Sequence, residues 1–479
     1  MRLLSFQYFL LSRMLFFISV LALTGVTIQA QEDCTRVPST KTKNRKIIIS
    51  DLHLGAGLQP DGNWSALEDF RFADVFRRFL EQIGRPGNTD LIIAGDFIDF
   101  WQILPELDEK RVAELGPTEQ DSLAKLEVAI KQHRKTFLDL SEFTWFRGNR
   151  LIIVPGNHDV DLLWPRVRDR LQQQFGLPLG QKLFFTNACY ESDGVYVEHG
   201  HQYDAANRFR NANAPFATDD NSTRRLETNW GSVFMSRFYN RVELEQPFID
   251  NLAPETAAIV FALQNEFKFS IKHIGRLAVM LFRDQKALAQ FNMITQELGT
   301  EEPPKKVPEK TLDNLLKLYE GADPELAKIL RATVQTEETR QEAENAMKEI
   351  TPEEWARLQA GFKKVGPTEV LGNKLRGIDP YLQAARQIVV KKPSVNIVVM
   401  AHTHELDGEV VFLDKLGLTN RWYVNTGCWQ KVLNVQTARA RGKQWNQLNL
   451  DDPIFQLRFS YVIVNYDGDK PMRPARSFW

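Results

Sequence analysis

Five short apolar runs in this chain each end abruptly in a polar cluster. Ile47 to Ile49 lead into Ser50-Asp51-Leu52-His53, and Leu91 to Ala94 lead into Gly95-Asp96-Phe97-Ile98-Asp99. Leu151 to Val154 lead into Pro155-Gly156-Asn157-His158-Asp159, Val195 to Glu198 into His199-Gly200-His201, and Asn396 to Met400 into Ala401-His402-Thr403-His404. Runs of this length, rich in β-branched residues, predict buried strands. Between them, apolar residues at helical spacing predict helices over Ala66–Gln82, Asp121–Leu140 and Leu162–Phe175. Strand alternating with helix predicts an α/β domain. Polar clusters just past the C-terminal ends of strands are where open α/β sheets bind ligands.

The pattern changes between residues 205 and 392. Strand signal nearly vanishes, and helix formers are punctuated by Glu301-Glu302-Pro303-Pro304 and Gly366-Pro367. Helices are expected over Pro254–Arg283, Asp313–Tyr319, Pro324–Thr333, Glu337–Glu349 and Pro352–Phe362, with Pro in the first turn marking several starts. This reads as a helical insertion or cap dividing one domain into residues 45–204 and 393–479. Strand-like sequence returns at Glu409–Leu413, Arg421–Asn425 and Phe455–Asn465.

The first 30 residues follow another pattern. Arg2 and Arg13 accompany an uncharged apolar stretch from Met14 to Val26, and small and polar residues lead to Ala30. That layout is a secretory signal with cleavage after Ala30; the alternative is a single-span membrane anchor. Removing residues 1–30 takes away two arginines and no acids, moving the formal charge from −1 to −3. Neither value suggests a nucleic-acid partner. Three cysteines remain, Cys34, Cys189 and Cys428, which allow one disulfide and one thiol without deciding the pair.

Six of the eight histidines fall inside the five polar clusters; only His133 and His273 lie outside them. Imidazole with carboxylate is the ligand set of borderline divalent metals. The clusters carry more such ligands than one metal needs, so two are expected. His133, in the charged run Lys131-Gln132-His133-Arg134-Lys135, reads as solvated, and His273 as structural.

In this order, the set D-x-H, G-D-x-x-D, G-N-H-D, H and H-x-H resembles the calcineurin-like metallophosphoesterase superfamily over residues of about 45–204 and 393–465. The resemblance implies a two-sheet β-sandwich flanked by helices, here with a large helical insertion. It also implies two divalent metals, Mn with Fe or Zn as alternatives. Asp96 would bridge them, with Asp51, His53 and His404 completing one and Asn157, His199 and His402 the other. Each D-x-H or H-x-H pair is expected to use strand alternation to present two ligands on one side. His158 would give a proton to the leaving group, with Asp159 orienting its ring. Asp99 would hold a ligand histidine by hydrogen bond, and His201 is a rival to His199 or a neighbour facing the substrate. Asn425-Thr426-Gly427 is expected only to shape the site.

The implied activity is hydrolysis of a phosphomonoester, phosphodiester or pyrophosphate by an exported enzyme acting on a phosphorylated small molecule or lipid. Arg208 and Arg210, near the start of the insertion, are candidates for gripping a phosphate, against the alternative of surface ion pairs with Asp219, Asp220 or Glu227. The apolar stretch Ala257–Phe282 suggests either an ordinary packed helix or an acyl-binding lid, and it or the N-terminus could meet a membrane surface. Two of the clusters also look like the branch that cleaves lipid-linked sugar nucleotides. That branch has arginine at the position of His158 and works in the cytoplasm. A non-catalytic metal-containing binding protein is the reading from another class.

Overall fold

The computed structural model describes residues 34–105, 115–204, 207–253, 379–404, 408–413, 420–443, 447–450 and 452–479, with isolated positions between 311 and 344. The expected signal segment, His273, the Ala257–Phe282 stretch and most of the expected insertion helices lie outside these residues.

Two sheets stack face to face. In the first, β2 (Arg45–Ile49), β3 (Thr89–Ala94), β4 (Arg150–Val154) and β5 (Leu183–Phe185) run parallel in that order. The late strand β15 (Gln456–Val464) pairs antiparallel with β2 and carries β14 (Trp429–Asn434) on its other side. The second sheet runs β1 (Thr35–Arg36), β6 (Cys189–Ser192), β7 (Val195–Glu198), β11 (Ile397–Met400), β13 (Trp422–Asn425) and β12 (Val411–Phe412). Its centre, β7–β11–β13, is parallel.

Alternation along these strands divides the core. Ile48, Ile92, Ile152 and Val462 face Val195, Val197, Ile397 and Val399 between the sheets. Ile47, Ile49, Leu91, Ile93 and Ile153 point the other way, onto α1 (Ala73–Gly84), α2 (Glu119–Gln132), α3 (Arg134–Phe143) and α4 (Pro165–Phe175). The outer face of the second sheet packs Tyr196, Val398 and Met400 on Ala384, Ala385 and Ile388 of α7 (Pro380–Lys391). With both faces of each sheet covered, the central parallel strands β2, β3, β4 and β11 are apolar over their C-terminal halves, as buried parallel strands require. The result is a two-sheet sandwich flanked by helices.

The described start of the expected insertion holds the hairpin β8 (Phe216–Thr218) and β9 (Arg224–Leu226), then short helices α5 (Trp230–Phe234) and α6 (Asn240–Glu245) joined by a π-helical turn at Met235–Tyr239. β10 (Leu252–Ala253) then adds to the edge strand β14. Cys34 is bonded to Cys189 across 155 residues of sequence, fastening β1 to the second sheet, and Cys428 is a buried thiol. Among the described residues no helix is long and apolar enough to cross a membrane.

Two expectations change. The single helix expected over Asp121–Leu140 breaks at His133, whose backbone leaves helical geometry (φ −108°, ψ 26°). His133 is buried, not solvated: its Nε2 lies 3.2 Å from Glu68. The helix expected from Ala66 begins at Ala73 instead, because the preceding segment lends Glu68 to the backbone N–H groups of Gly57 and Phe70.

Candidate metal centre

The C-terminal ends of β2, β3, β4, β7 and β11 converge, and the five polar clusters meet there. Three side-chain groups have ligand atoms within 4.8 Å of one another: Asp51–His53–His404, Asp96–His199–His402, and His53–Asp99–His158. In the first, His404 Nε2 is 3.1 Å from Asp51 Oδ1. In the second, His199 Nε2 is 3.1 Å from Asp96 Oδ2 and 3.0 Å from Asn157 Oδ1. His53 Nε2 stands 3.7 Å from the same Asp96 oxygen, so Asp96 lies between the two groups.

Backbone geometry, not strand alternation, aims these ligands. Asp51, His53, Asp96, His402 and His404 all have positive φ, between 47° and 71°, and make up half of the ten described non-glycine residues that do. Each left-handed residue costs on the order of 1 kcal/mol, least for Asp and His, and such strain gathers at functional sites. The expectation that D-x-H and H-x-H present ligands as alternate strand residues is thereby corrected: the strands stop at Ile49 and Met400, and the pairs occupy tight loops beyond them. Two glycines permit the crowding. A Cβ on Gly95 would lie 2.3 Å from His199 Nδ1, and one on Gly156 would lie 2.1 Å from Asp96 Oδ1.

Hydrogen bonds then choose tautomers. The His199 Nδ1–H donates to the Ala94 carbonyl at 2.9 Å, which turns the Nε2 lone pair toward Asp96. Asp99 Oδ2 accepts from Nδ1–H of both His53, at 2.9 Å, and His158, at 2.7 Å. The third group is therefore a hydrogen-bonded cluster in which Asp99 fixes two rings at once. Asp159 has a different part from the one expected. Its carboxylate accepts the backbone N–H groups of Gly156 and Phe97, at 2.5 and 2.8 Å, tying the loops after β3 and β4 together, and Asp99 orients His158 in its place.

The electrostatics call for cations. Burial alone would depress His199 and His158, yet the surrounding carboxylates raise them to about 9 and about 10. Asp159 is pushed up to about 7 by burial and by Asp96. No lysine or arginine is within ion-pair distance of Asp51, Asp96 or Asp99 among the described residues. Asp51 Oδ2 and His53 Nε2 are buried with no hydrogen-bond partner. Buried polar atoms left in this state are rare unless an ion or water meets them. Oxygen from Asp and Asn with nitrogen from several imidazoles fits Mn, Fe or Zn.

His201 lies beside this set rather than in it, buried with its ring 5.5 Å from that of His199. Arg210 is 82% exposed and pairs with Glu227 at 3.2 Å, so the surface ion pair takes it away from the phosphate-gripping part expected for it. Arg208 is half-buried, its backbone N–H donating to the Asp204 carbonyl. Asn425 donates to the Ala401 carbonyl and to Thr403 Oγ1, shaping the loop that carries His402 and His404. Sequence reasoning passed over Asp204, whose Oδ2 is 3.1 Å from His402 Nε2. The available signal was its place three residues after His201, closing the fourth cluster.

A family model described as calcineurin-like phosphoesterase matches residues 45–254. The match ends before β11, so His402 and His404 join the site on geometry. No curated protein matches the chain.

Proposed function

We propose that this chain, which the calcineurin-like phosphoesterase family model matches over residues 45–254, is an exported two-metal enzyme hydrolysing phosphomonoester, phosphodiester or pyrophosphate bonds in a phosphorylated small molecule. The observation that carries this reading is the pair of ligand groups on either side of Asp96. Asp51, His53 and His404 would hold one cation, Asn157, His199 and His402 the other, and Asp96 both. Two such cations would supply an acidified water and offset charge on the phosphoryl oxygens.

The protein's own groups supply the rest. Asp99 accepts from His158 Nδ1–H, which leaves Nε2 to carry a proton to the departing oxygen. Against the cost of burial, the Asp99 carboxylate raises the proton affinity of His158. His53 and His199 are held in the tautomers that face Nε2 inward, so the ligand set needs little rearrangement. Export is supported by the Cys34–Cys189 disulfide, a bond that persists in oxidising compartments. Its first cysteine lies four residues beyond the expected cleavage point.

The test is hydrolysis of bis(p-nitrophenyl) phosphate and p-nitrophenyl phosphate after stripping metal and restoring Mn, Fe or Zn. Turnover that returns with metal is the expected result, and the ratio of the two esters assigns diesterase or monoesterase preference. Two bound metals with no turnover on either ester or on a pyrophosphate would favour the binding-protein reading.

A further inference from the structure

His402 and Asn157 share a support that the other proposed ligands do not touch. Asp204 Oδ2 accepts from His402 Nε2–H at 3.1 Å and from Asn207 Nδ2 at 2.6 Å. Asn207 Oδ1 in turn lies 3.5 Å from Asn157 Nδ2, whose own Oδ1 is the atom beside His199 Nε2. A carboxylate can only accept, so direction in this relay is set at Asp204. It demands the amide nitrogen of Asn207, which turns the Asn207 oxygen toward Asn157, and that turns the Asn157 oxygen inward. The same carboxylate takes the Nε2 proton of His402 and leaves Nδ1 as the nitrogen with a lone pair. An amide turned the other way would offer its NH₂ to a cation, and a histidine in the other tautomer would lose its free Nδ1.

Asn207 is itself fixed from outside the sandwich. Its carbonyl accepts from Asn229 Nδ2 at 2.6 Å, and Asn229 caps the start of α5 by accepting from Ser232 N–H at 2.8 Å. Gly231 in that turn lies so close that a Cβ there would be 2.0 Å from Asn207 Oδ1. Asp204 joins none of the three ligand groups. On the opposite side, His53 is held by Asp99, and the hydrogen bonds of Asp51 and His404 do not reach this relay.

We infer that Asp204 and Asn207 are positioning residues for one metal only, the one assigned to Asn157, His199 and His402, and that they tie its affinity to the segment leading away from the sandwich after His201. The inference rests on the two-metal reading above. The test titrates Mn(II) into the metal-free full chain and reads bound Mn per chain together with the melting temperature before and after addition. Wild type should bind two Mn. Asp204→Asn and Asn207→Ala should keep the first and bind the second about 10–100-fold more weakly. Their metal-free melting temperature should match wild type while the rise on adding Mn shrinks, which a merely structural role would not produce. His402→Ala sets the floor for losing that site. Variants that bind both Mn as wild type does, or that weaken both equally with a lowered metal-free melting temperature, would overturn the inference and leave two metals standing. A wild-type chain holding fewer than two Mn would overturn the two-metal reading and this inference with it. If Asp204→Asn does not fold, Asn207→Ala decides alone.

Discussion

The strands of the first sheet bury charge at both ends, and the two ends resolve it differently. At the N-terminal ends, Lys46 of β2 lies 3.2 Å from Asp90 of β3 and 3.0 Å from Asp193. Arg150 of β4 closes on the two oxygens of Asp90 at 2.7 and 2.6 Å, and Asn44 adds a bond at 2.8 Å. Lys43 adds a third cation 3.0 Å from Asp193, so the two carboxylates are matched by the protein's own cations and nothing further is required. At the C-terminal ends, the ion-pair partners of Asp51, Asp96 and Asp99 among the described residues are all histidines, and buried ligand atoms have no partner. Burial of charge marks both regions equally. What separates a structural cluster from a reactive one is whether the protein supplies the counter-charge itself.

Substitutions at the two ends should therefore fail in different ways. The largest effect is expected from Asp96→Asn, which removes the carboxylate between the ligand groups. Activity on a nitrophenyl ester should fall by about 10⁴-fold or more, with metal lost by elemental analysis and the fold kept by circular dichroism. His158→Ala should cost on the order of 10²–10⁴-fold in turnover while metal content stays at the wild-type level. Equal loss of metal in both variants would erase the distinction between ligand and proton donor.

Asp90→Asn tests the balanced end. Leaving Arg150 without its carboxylate and Lys46 with Asp193 alone should lower unfolding free energy by about 3–5 kcal/mol in urea, with metal content and activity per folded molecule unchanged. A loss of metal there would show that the two ends are not separate. The smallest effect is expected with pH. Although burial pushes it up, Lys46 and the hydroxyl and ammonium groups around it hold Asp193 down at about 2. A depressed carboxylate contributes stability above its unfolded value of about 3.9, and that contribution is lost as pH falls toward 2. On the order of 1–2 kcal/mol should vanish between about pH 4 and 2, and Asp193→Asn should flatten that part of the stability curve.

Much of the sandwich was legible because its central strands are short, apolar and β-branched. The runs ending at Ala94, Val154, Glu198 and Met400 coincide with β3, β4, β7 and β11 at their C-terminal ends. β5, β6 and β14 were not read, since Leu183–Phe185 is very short and Cys189–Ser192 mixes polar with apolar positions. The break at His133 was hidden for a different reason. Its cause, Glu68, is 65 residues away and enters only through packing.

Sequence by itself determined which residue types gather at the strand ends, because an apolar run followed at once by Asp, Asn or His is a local property of the chain. It could not say which partner each side chain would take. Whether Asp99 or Asp159 orients His158, whether Arg210 turns to phosphate or to Glu227, which cysteine joins Cys34, and that Asp204 meets His402 across 198 residues all depend on distances between segments remote along the chain. Only the stacking of the two sheets sets those distances. Hydrogen bonds and ion pairs act over about 3 Å, so their choice belongs to the tertiary structure.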